Sequence, residues 1–148
     1  MKFSVKTEYG LRAMIELASR NGEGLIGAKD IASRQEIPER FLEQQLTALK
    51  KAGLVVSQRG ASGGCTLARR PEEITVLEVI EALDGLVIDM DCITNRVHNC
   101  RQFAQCVIQE VWQQSRGKLR EYLGSVTIAD LLQRQRQLKD MALTGGRQ

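Results

Sequence analysis

The chain has 148 residues, 43% hydrophobic and 26% charged, with a formal net charge of +3, the balance of one globular domain with at most a short appendage. That balance excludes a disordered tail, a collagen-like repeat and a disulfide knot. No stretch approaches the roughly 18 apolar residues of a membrane span, and Met1–Lys6 carries no signal-peptide run, so a cytoplasmic protein is expected.

Residues 4–20 are predicted as a helix, because Val5, Tyr9, Ala13 and Leu17 recur every four residues and Met14 and Ala18 widen the stripe. Asn21-Gly22-Glu23-Gly24 ends it, and residues 28–35 form a short second helix. After a break at Glu36-Ile37-Pro38, Pro38 suits the first turn of a third helix that runs to about Ala52 and is capped by Gly53. Its apolar stripe is Phe41 or Leu42, Leu46 and Leu49, and its other face carries Arg40, Glu43, Gln44, Thr47, Lys50 and Lys51. The pattern then turns strand-like. Leu54–Gln58 and Cys65–Ala68 flank the turn Arg59-Gly60-Ala61-Ser62-Gly63-Gly64 as a hairpin.

Thr75 and Glu78 have the spacing of a capping box for a helix that ends at Asp84-Gly85. From Asp89 to about Arg101 there is no clean period. A longer helix is predicted from about Gln102 to Leu123, on the repeat of Ile108, Val111 or Trp112, Ser115, Leu119 and Tyr122 or Leu123. Thr127 opens one more short helix, and Leu143–Gln148 reads as a tail.

Helix, short helix, tight turn, helix and two-stranded hairpin is the order of a winged helix-turn-helix. The expected fold is therefore mainly α with a small β-hairpin wing. Charge agrees with a nucleic-acid partner. Residues 1–70 hold twelve Lys/Arg against seven Asp/Glu, and residues 71–148 hold nine against eleven. A helix with a polar face fits the major groove, and Arg40, Glu43 and Gln44 lie in its first two turns, where base edges are reached. Arg59 at the base of the hairpin is suited to the minor groove or a phosphate, and Lys50, Lys51, Lys29, Lys2 and Lys6 are available to phosphates. An acidic residue such as Glu43 is costly among phosphates unless it accepts from a donor such as a cytosine amino group.

Cys92, Cys100 and Cys106 are spaced C-x7-C-x5-C, unlike the close pairs of zinc sites. Three soft thiolates in a broad loop suit an iron–sulfur cluster. The other readings are a thiol redox switch and idle thiols. A fourth ligand would come from His98, inside the loop, or from Glu8 on the first helix. Cys65, on the return strand of the wing, reads as a small buried hydrophobe. With one histidine and no phosphate-cradling glycine motif ahead of a helix, the chain is not expected to be an enzyme.

These residues resemble the Rrf-two family of bacterial transcriptional regulators, iron–sulfur type (IscR, RirA and NsrR-like). The resemblance rests on Thr7–Met14, on Phe41-Leu42-Glu43-Gln44, on Leu46 and Leu49–Val55, on Arg59–Gly64, on Ile74–Ile80 and on the three cysteines. It implies a homodimeric repressor or activator that binds a palindromic operator in double-stranded DNA, its affinity set by a 2Fe-2S or 4Fe-4S cluster. It implies a winged helix-turn-helix over 1–70, a connecting helix and cluster loop over 71–101, and a dimerisation helix with C-terminal helix or tail over 102–148. The family's recognition glutamate matches Glu43 and its wing arginine Arg59. Where the IscR type has a histidine, this chain has Gln109. The NsrR type draws an acidic ligand from the first helix, a position matched by Glu8 and favoured here over His98. Cys65 stands where the family usually has an aromatic. Two rivals stay open: a cluster-free regulator of this fold responding to thiol oxidation or a small effector, and a winged-helix module that docks protein.

Overall fold

A computed structural model describes residues 2–85, 87–94, 100 and 105–146. Helix α1 (Val5–Ser19) starts at Ser4, whose side chain accepts from the Thr7 N–H, and buries Thr7, Gly10, Ala13, Met14, Leu17 and Ala18 on one face. Gly10 lets this helix approach its neighbour closely, since a Cβ there would lie 2.1 Å from Leu83 Cδ1. Helix α2 (Ala28–Gln35) ends at Glu36, which adopts φ 54° and turns the chain. The Ile37 N–H closes that turn on the Ala32 carbonyl at 2.9 Å.

Helix α3 (Glu39–Lys51) begins just after Pro38, which is its N-cap rather than a residue of its first turn. It sends Leu42, Gln45 and Leu49 into the core. Leu42 and Leu49 are fully buried, and each stabilises the fold by roughly 1.5–3 kcal/mol. Strands β1 (Val55–Gln58) and β2 (Gly64–Leu67) pair antiparallel, with Val55 opposite Leu67 and Gln58 opposite Gly64. Hydrogen bonds between Ile26 and Cys65, 2.9 Å in both directions, stitch this wing to the segment before α2. A Cβ on Gly64 would come within 2.6 Å of the Ile26 backbone, so this junction requires glycine.

A single 3-10 turn (Pro71–Glu73) leads to helix α4 (Val76–Asp84), which carries the expected capping box between Thr75 and Glu78. A four-residue helix α5 (Asp91–Thr94) lies in the stretch that showed no period. Helix α6 (Val107–Ser125) starts later than the expected Gln102, a residue outside those described. Helix α7 (Ile128–Gly145) has 18 residues and takes in Leu143, Thr144 and Gly145 of the expected tail. The short helix and tail anticipated there are corrected to one long helix. No Pro or Gly interrupts the chain between Thr127 and Gly145, and Leu131, Leu132, Gln135 and Leu138 hold the helical spacing. Backbone bonds from Val76 to Val126 and from Ile128 to Ile74, both 2.9 Å, fasten the α6–α7 corner to the start of α4. The main core joins α1, α2, α3 and the wing to Ile74, Val79 and Ile128, and a second cluster joins Val76, Ile80, Val87 and Leu123.

Candidate nucleic-acid interface and cysteine segment

The two faces of α3 divide cleanly. Leu42, Gln45 and Leu49 face inward, whereas Arg40, Glu43, Gln44, Thr47, Lys50 and Lys51 are exposed. The inward Gln45, which the apolar stripe alone does not reveal, donates from Nε2 to the Phe41 carbonyl at 3.3 Å. Phe41 packs edge-on against Tyr9 of α1, ring centroids 5.4 Å apart, which helps fix α3 on the body. Arg59 is exposed where β1 gives way to the wing tip. The tip is tight, since a Cβ on Gly63 would lie 2.3 Å from the Gln58 carbonyl oxygen.

Many arginines of the body are neutralised within the chain. Arg12 pairs with Glu8 at 2.6 Å, Arg34 with Asp30 at 3.1 Å and Arg69 with Glu78 at 2.6 Å. Arg20 pairs with Asp30 and Arg120 with Glu81. Among the described residues Arg40, Lys50, Lys51 and Arg59 make no ion pair, so their charge is open to an external anion. Lys29 is exposed near the start of α2. Lys2 is exposed ahead of α1 and borders a 90 Å³ cavity with Ile80, Asp84 and Val87 at the end of α4.

The cysteine segment is only partly gathered. Cys92 is half-buried on α5, Cys100 is exposed, and Cys106 is the half-buried N-cap of α6. Gln109, one turn into α6, donates from Nε2 to the Cys92 carbonyl at 3.1 Å and so holds α5 to the start of α6. Among the described residues no three His, Cys, Asp or Glu side chains come together as a metal-binding group. Glu8 is engaged with Arg12, and His98 lies outside the described residues. The donor chemistry, three soft thiols within one stretch, fits a thiolate-ligated cluster.

Asp84, at the end of α4, accepts from the Ser4 N–H at 3.0 Å, from Thr7 Oγ1 at 2.6 Å and from the Ser4 hydroxyl. It ties the start of α1 to the point where the chain leaves for the cysteines. Partial burial raises its pKa, but the hydrogen bonds from Ser4 and Thr7 outweigh this and leave it below the ordinary 3.8. A lowered carboxyl contributes stability that is present above its unfolded pKa and is lost as the pH falls through the folded one. Asp84→Asn is therefore expected to lower thermal stability at neutral pH and to shrink the loss of stability on acidification below about 3.8. Melting curves at several acidic pH values check this, and an unchanged acid limb would remove Asp84 from the account.

Cys65 is 3% exposed, and its thiol faces the Ile26 carbonyl at 3.5 Å. Burial pushes its pKa up to about 11, which makes it unreactive. A thiol reagent under native conditions is expected to modify the exposed Cys100 readily and Cys65 only after denaturation. Mass spectrometry of the labelled protein checks this, and early Cys65 labelling would contradict it.

Comparison with known proteins agrees with this architecture. The family described as Rrf2, iron-dependent transcriptional regulator, matches residues 3–134. The chain is 37% identical over 131 residues to the HTH-type transcriptional regulator CymR of Bacillus subtilis, covering 88% of this chain and 89% of the relative. The structure of that protein, described as the global cysteine regulator, superposes with a TM-score of 0.72 at 36% identity, over 90% of this chain and 97% of the other. T. potens IscR superposes with a TM-score of 0.70 at 40% identity, over 90% and 87% of the two chains. The oxidized form of Staphylococcus aureus CymR superposes with a TM-score of 0.68 at 34% identity, over 89% and 96%. The mostly helical fold with its two-stranded wing is thus that of winged-helix regulators, and these relatives are transcriptional regulators rather than enzymes. The chain belongs to the Rrf2 family of transcriptional regulators.

Proposed function

We propose that the chain is a cytoplasmic, homodimeric, sequence-specific DNA-binding regulator whose grip on a palindromic operator depends on the state of Cys92, Cys100 and Cys106, with an iron–sulfur cluster as the sensing group. The observation that carries the DNA reading is the exposed face of α3 and the adjoining wing, where Arg40, Lys50, Lys51 and Arg59 stand without intramolecular ion pairs among the described residues. Arg40, Glu43 and Gln44 would read base edges, while Lys50 and Arg59 meet the backbone or the minor groove. No helix among the described residues is long and apolar enough to cross a membrane.

Support for the dimer comes from α6. Its C-terminal half turns Leu119 and Leu123 onto its own α4 region. Its first half leaves Val107, Ile108, Val111 and Trp112 exposed, Val107 by 71%. Such a face calls for a partner helix, and a two-fold pair would present two α3 helices to equivalent half-sites.

A cluster held by the three thiols would supply redox-sensitive iron and a cross-link within residues 92–106. The chain's own residues carry the consequence. Gln109 holds Cys92 against α6, and Asp84 joins the outgoing segment to Ser4 and Thr7 at the start of α1. A sensing state shifts DNA affinity only by its preference for one arrangement of the two heads. A second reading is thiol oxidation without a cluster, favoured by the similarity to CymR, described as the global cysteine regulator. An oxidized form of a CymR relative exists as a structure. Iron and sulfide analysis of an anaerobic preparation separates the two.

The DNA reading is tested by selecting duplexes from a random library with the purified protein. The expected product is a pseudo-palindromic motif with half-sites separated by about 10 base pairs or a multiple. Recovery without enrichment would overturn it.

A further inference from the structure

We propose that the cleft where α7 meets the end of α1 and the 3-10 turn is an effector site for a small zwitterion, a molecule of amino-acid to dipeptide size with one ammonium and one carboxylate. Among the described residues no cysteine lines it, and only its consequence for DNA rests on the regulatory reading above. The cleft has a volume of about 660 Å³, within the roughly 300–1,000 Å³ of small-molecule pockets. Its floor is apolar. Ala18 at the end of α1 and Pro71 of the 3-10 turn are buried, and Leu132 of α7 packs against the core. Its rim is exposed and carries both signs, Arg136 and Asp140 from α7 and Glu72 from the turn.

Three features suit such a ligand. First, the charges are uncommitted. Arg136 and Asp140 stand four residues apart on one helix, the spacing at which Arg12 pairs with Glu8 and Arg34 with Asp30. Among the described residues neither Arg136 nor Asp140 makes an ion pair, and Glu72 makes none although its neighbour Glu73 pairs with Arg70. Second, Gln137 accepts at Oε1 from Arg134 at 3.2 Å, which leaves its amide N–H groups to donate into the cleft. The Ser19 hydroxyl donates to the Glu16 carbonyl at 2.7 Å and so shapes the wall. Third, the walls are fixed. The Ile128 N–H bonds the Ile74 carbonyl at 2.9 Å and holds the start of α7 beside the turn, and the Glu73 N–H closes that turn on the Arg70 carbonyl at 2.9 Å. The ring of Pro71 locks the backbone between them.

The charge arrangement selects the ligand. Arg136 and Gln137 suit a carboxylate, while Glu72 and Asp140 suit an ammonium. A dicarboxylate would meet two like charges, and a diamine would leave Arg136 facing a cation. A zwitterion joins α7 to the winged-helix body at both ends. Helix α7 follows α6 through the single corner at Val126 and Thr127, so occupancy favours one placement of that pair on the body. Operator affinity shifts by that preference alone.

The test titrates the full chain with single free L-amino acids and glycylglycine by calorimetry and thermal shift, with succinate and putrescine as controls. At least one zwitterion is expected to bind one per chain and raise the melting temperature. Its N-acetyl and amide derivatives are expected to bind at least about tenfold more weakly, and Arg136→Gln and Glu72→Gln each to cost about tenfold. The losses from Arg136→Gln and from the amide are not additive, because both remove the same contact. Absence of binding by every probe would overturn the site. So would indifference to Arg136→Gln, or succinate or putrescine binding as well as the zwitterion. Affinity that falls as protein concentration rises would also overturn it, by assigning the cleft to a second copy of the chain. Both substituted residues are exposed; if either variant fails to fold, the derivatives measured on wild type still decide. The tightest probe is then expected to change wild-type affinity for the duplex enriched in the library selection by about fivefold or more, and to leave Arg136→Gln unchanged. Binding with operator affinity unaltered would overturn the effector role. If wild type binds no duplex at all, the DNA reading fails, and calorimetry on the free protein decides the site separately.

Discussion

Arg59→Ala is expected to weaken binding to the selected duplex by about 1–3 kcal/mol, roughly five- to 150-fold. Arg59 is exposed at the wing tip, has no ion pair among the described residues and stands beside a turn that glycines 63 and 64 keep tight. Its removal costs an attraction to DNA and releases no buried partner, so the folded state keeps its stability. Glu43→Ala provides the contrasting sign. Glu43 is exposed on the same face as Arg40 and Gln44 and repels phosphates wherever it finds no donor. Its removal is expected to raise affinity for random DNA while lowering the preference for the selected motif. Titration of both duplexes by fluorescence anisotropy reads the two effects. Equal changes on both duplexes for Glu43→Ala would deny it a base-reading role.

Cys92→Ala is expected to abolish visible absorption after anaerobic reconstitution with iron and sulfide, and to fix operator affinity at the value of the unreconstituted protein. Cys100→Ala and Cys106→Ala should behave alike, because the loss of any one thiol leaves too few soft ligands for a stable cluster. Cys65→Ala should retain the absorption, since that thiol is buried in the wing beneath Ile26. A Cys92→Ala protein that reconstitutes like wild type would exclude the ligand assignment. The thiol-oxidation alternative makes a different prediction: wild type stays colourless and its affinity responds to a mild oxidant.

Much of this fold is written in short-range pattern. The α1 stripe, the turn at Glu36–Pro38, the polar face of α3, the hairpin and the Thr75–Glu78 capping box all depend on neighbours within four or five residues, where periodicity and turn chemistry speak directly. The features that sequence did not disclose are of another kind. Asp84 meets Ser4 and Thr7 across 80 and 77 residues of chain. The wing meets Ile26 across 39. Gln109 reads as a missing histidine in the sequence, and only the structure turns it into a strap on Cys92. Leu119 and Leu123 share one stripe with Val111 and Trp112, yet they serve the chain's own α4 region. Helix α7 ran past its expected end because its second half is exposed, with Leu138, Met141 and Leu143 among polar residues rather than in a buried stripe, which weakens the periodic signal although nothing breaks the helix. The site was legible where residue types carry their own chemistry, as with the α3 cations and the three thiols. It was not legible where a long-range contact decides which side chains meet.

The account depends on a link between the cysteine segment and the DNA-binding face. The most direct measurement is an anaerobic anisotropy titration of the selected duplex with one preparation divided in two, half reconstituted with iron and sulfide and half left as the reduced apoprotein. The account predicts dissociation constants that differ by at least tenfold, and a difference that vanishes in Cys92→Ala. Identical constants for a coloured, iron-loaded half and its colourless counterpart would contradict it.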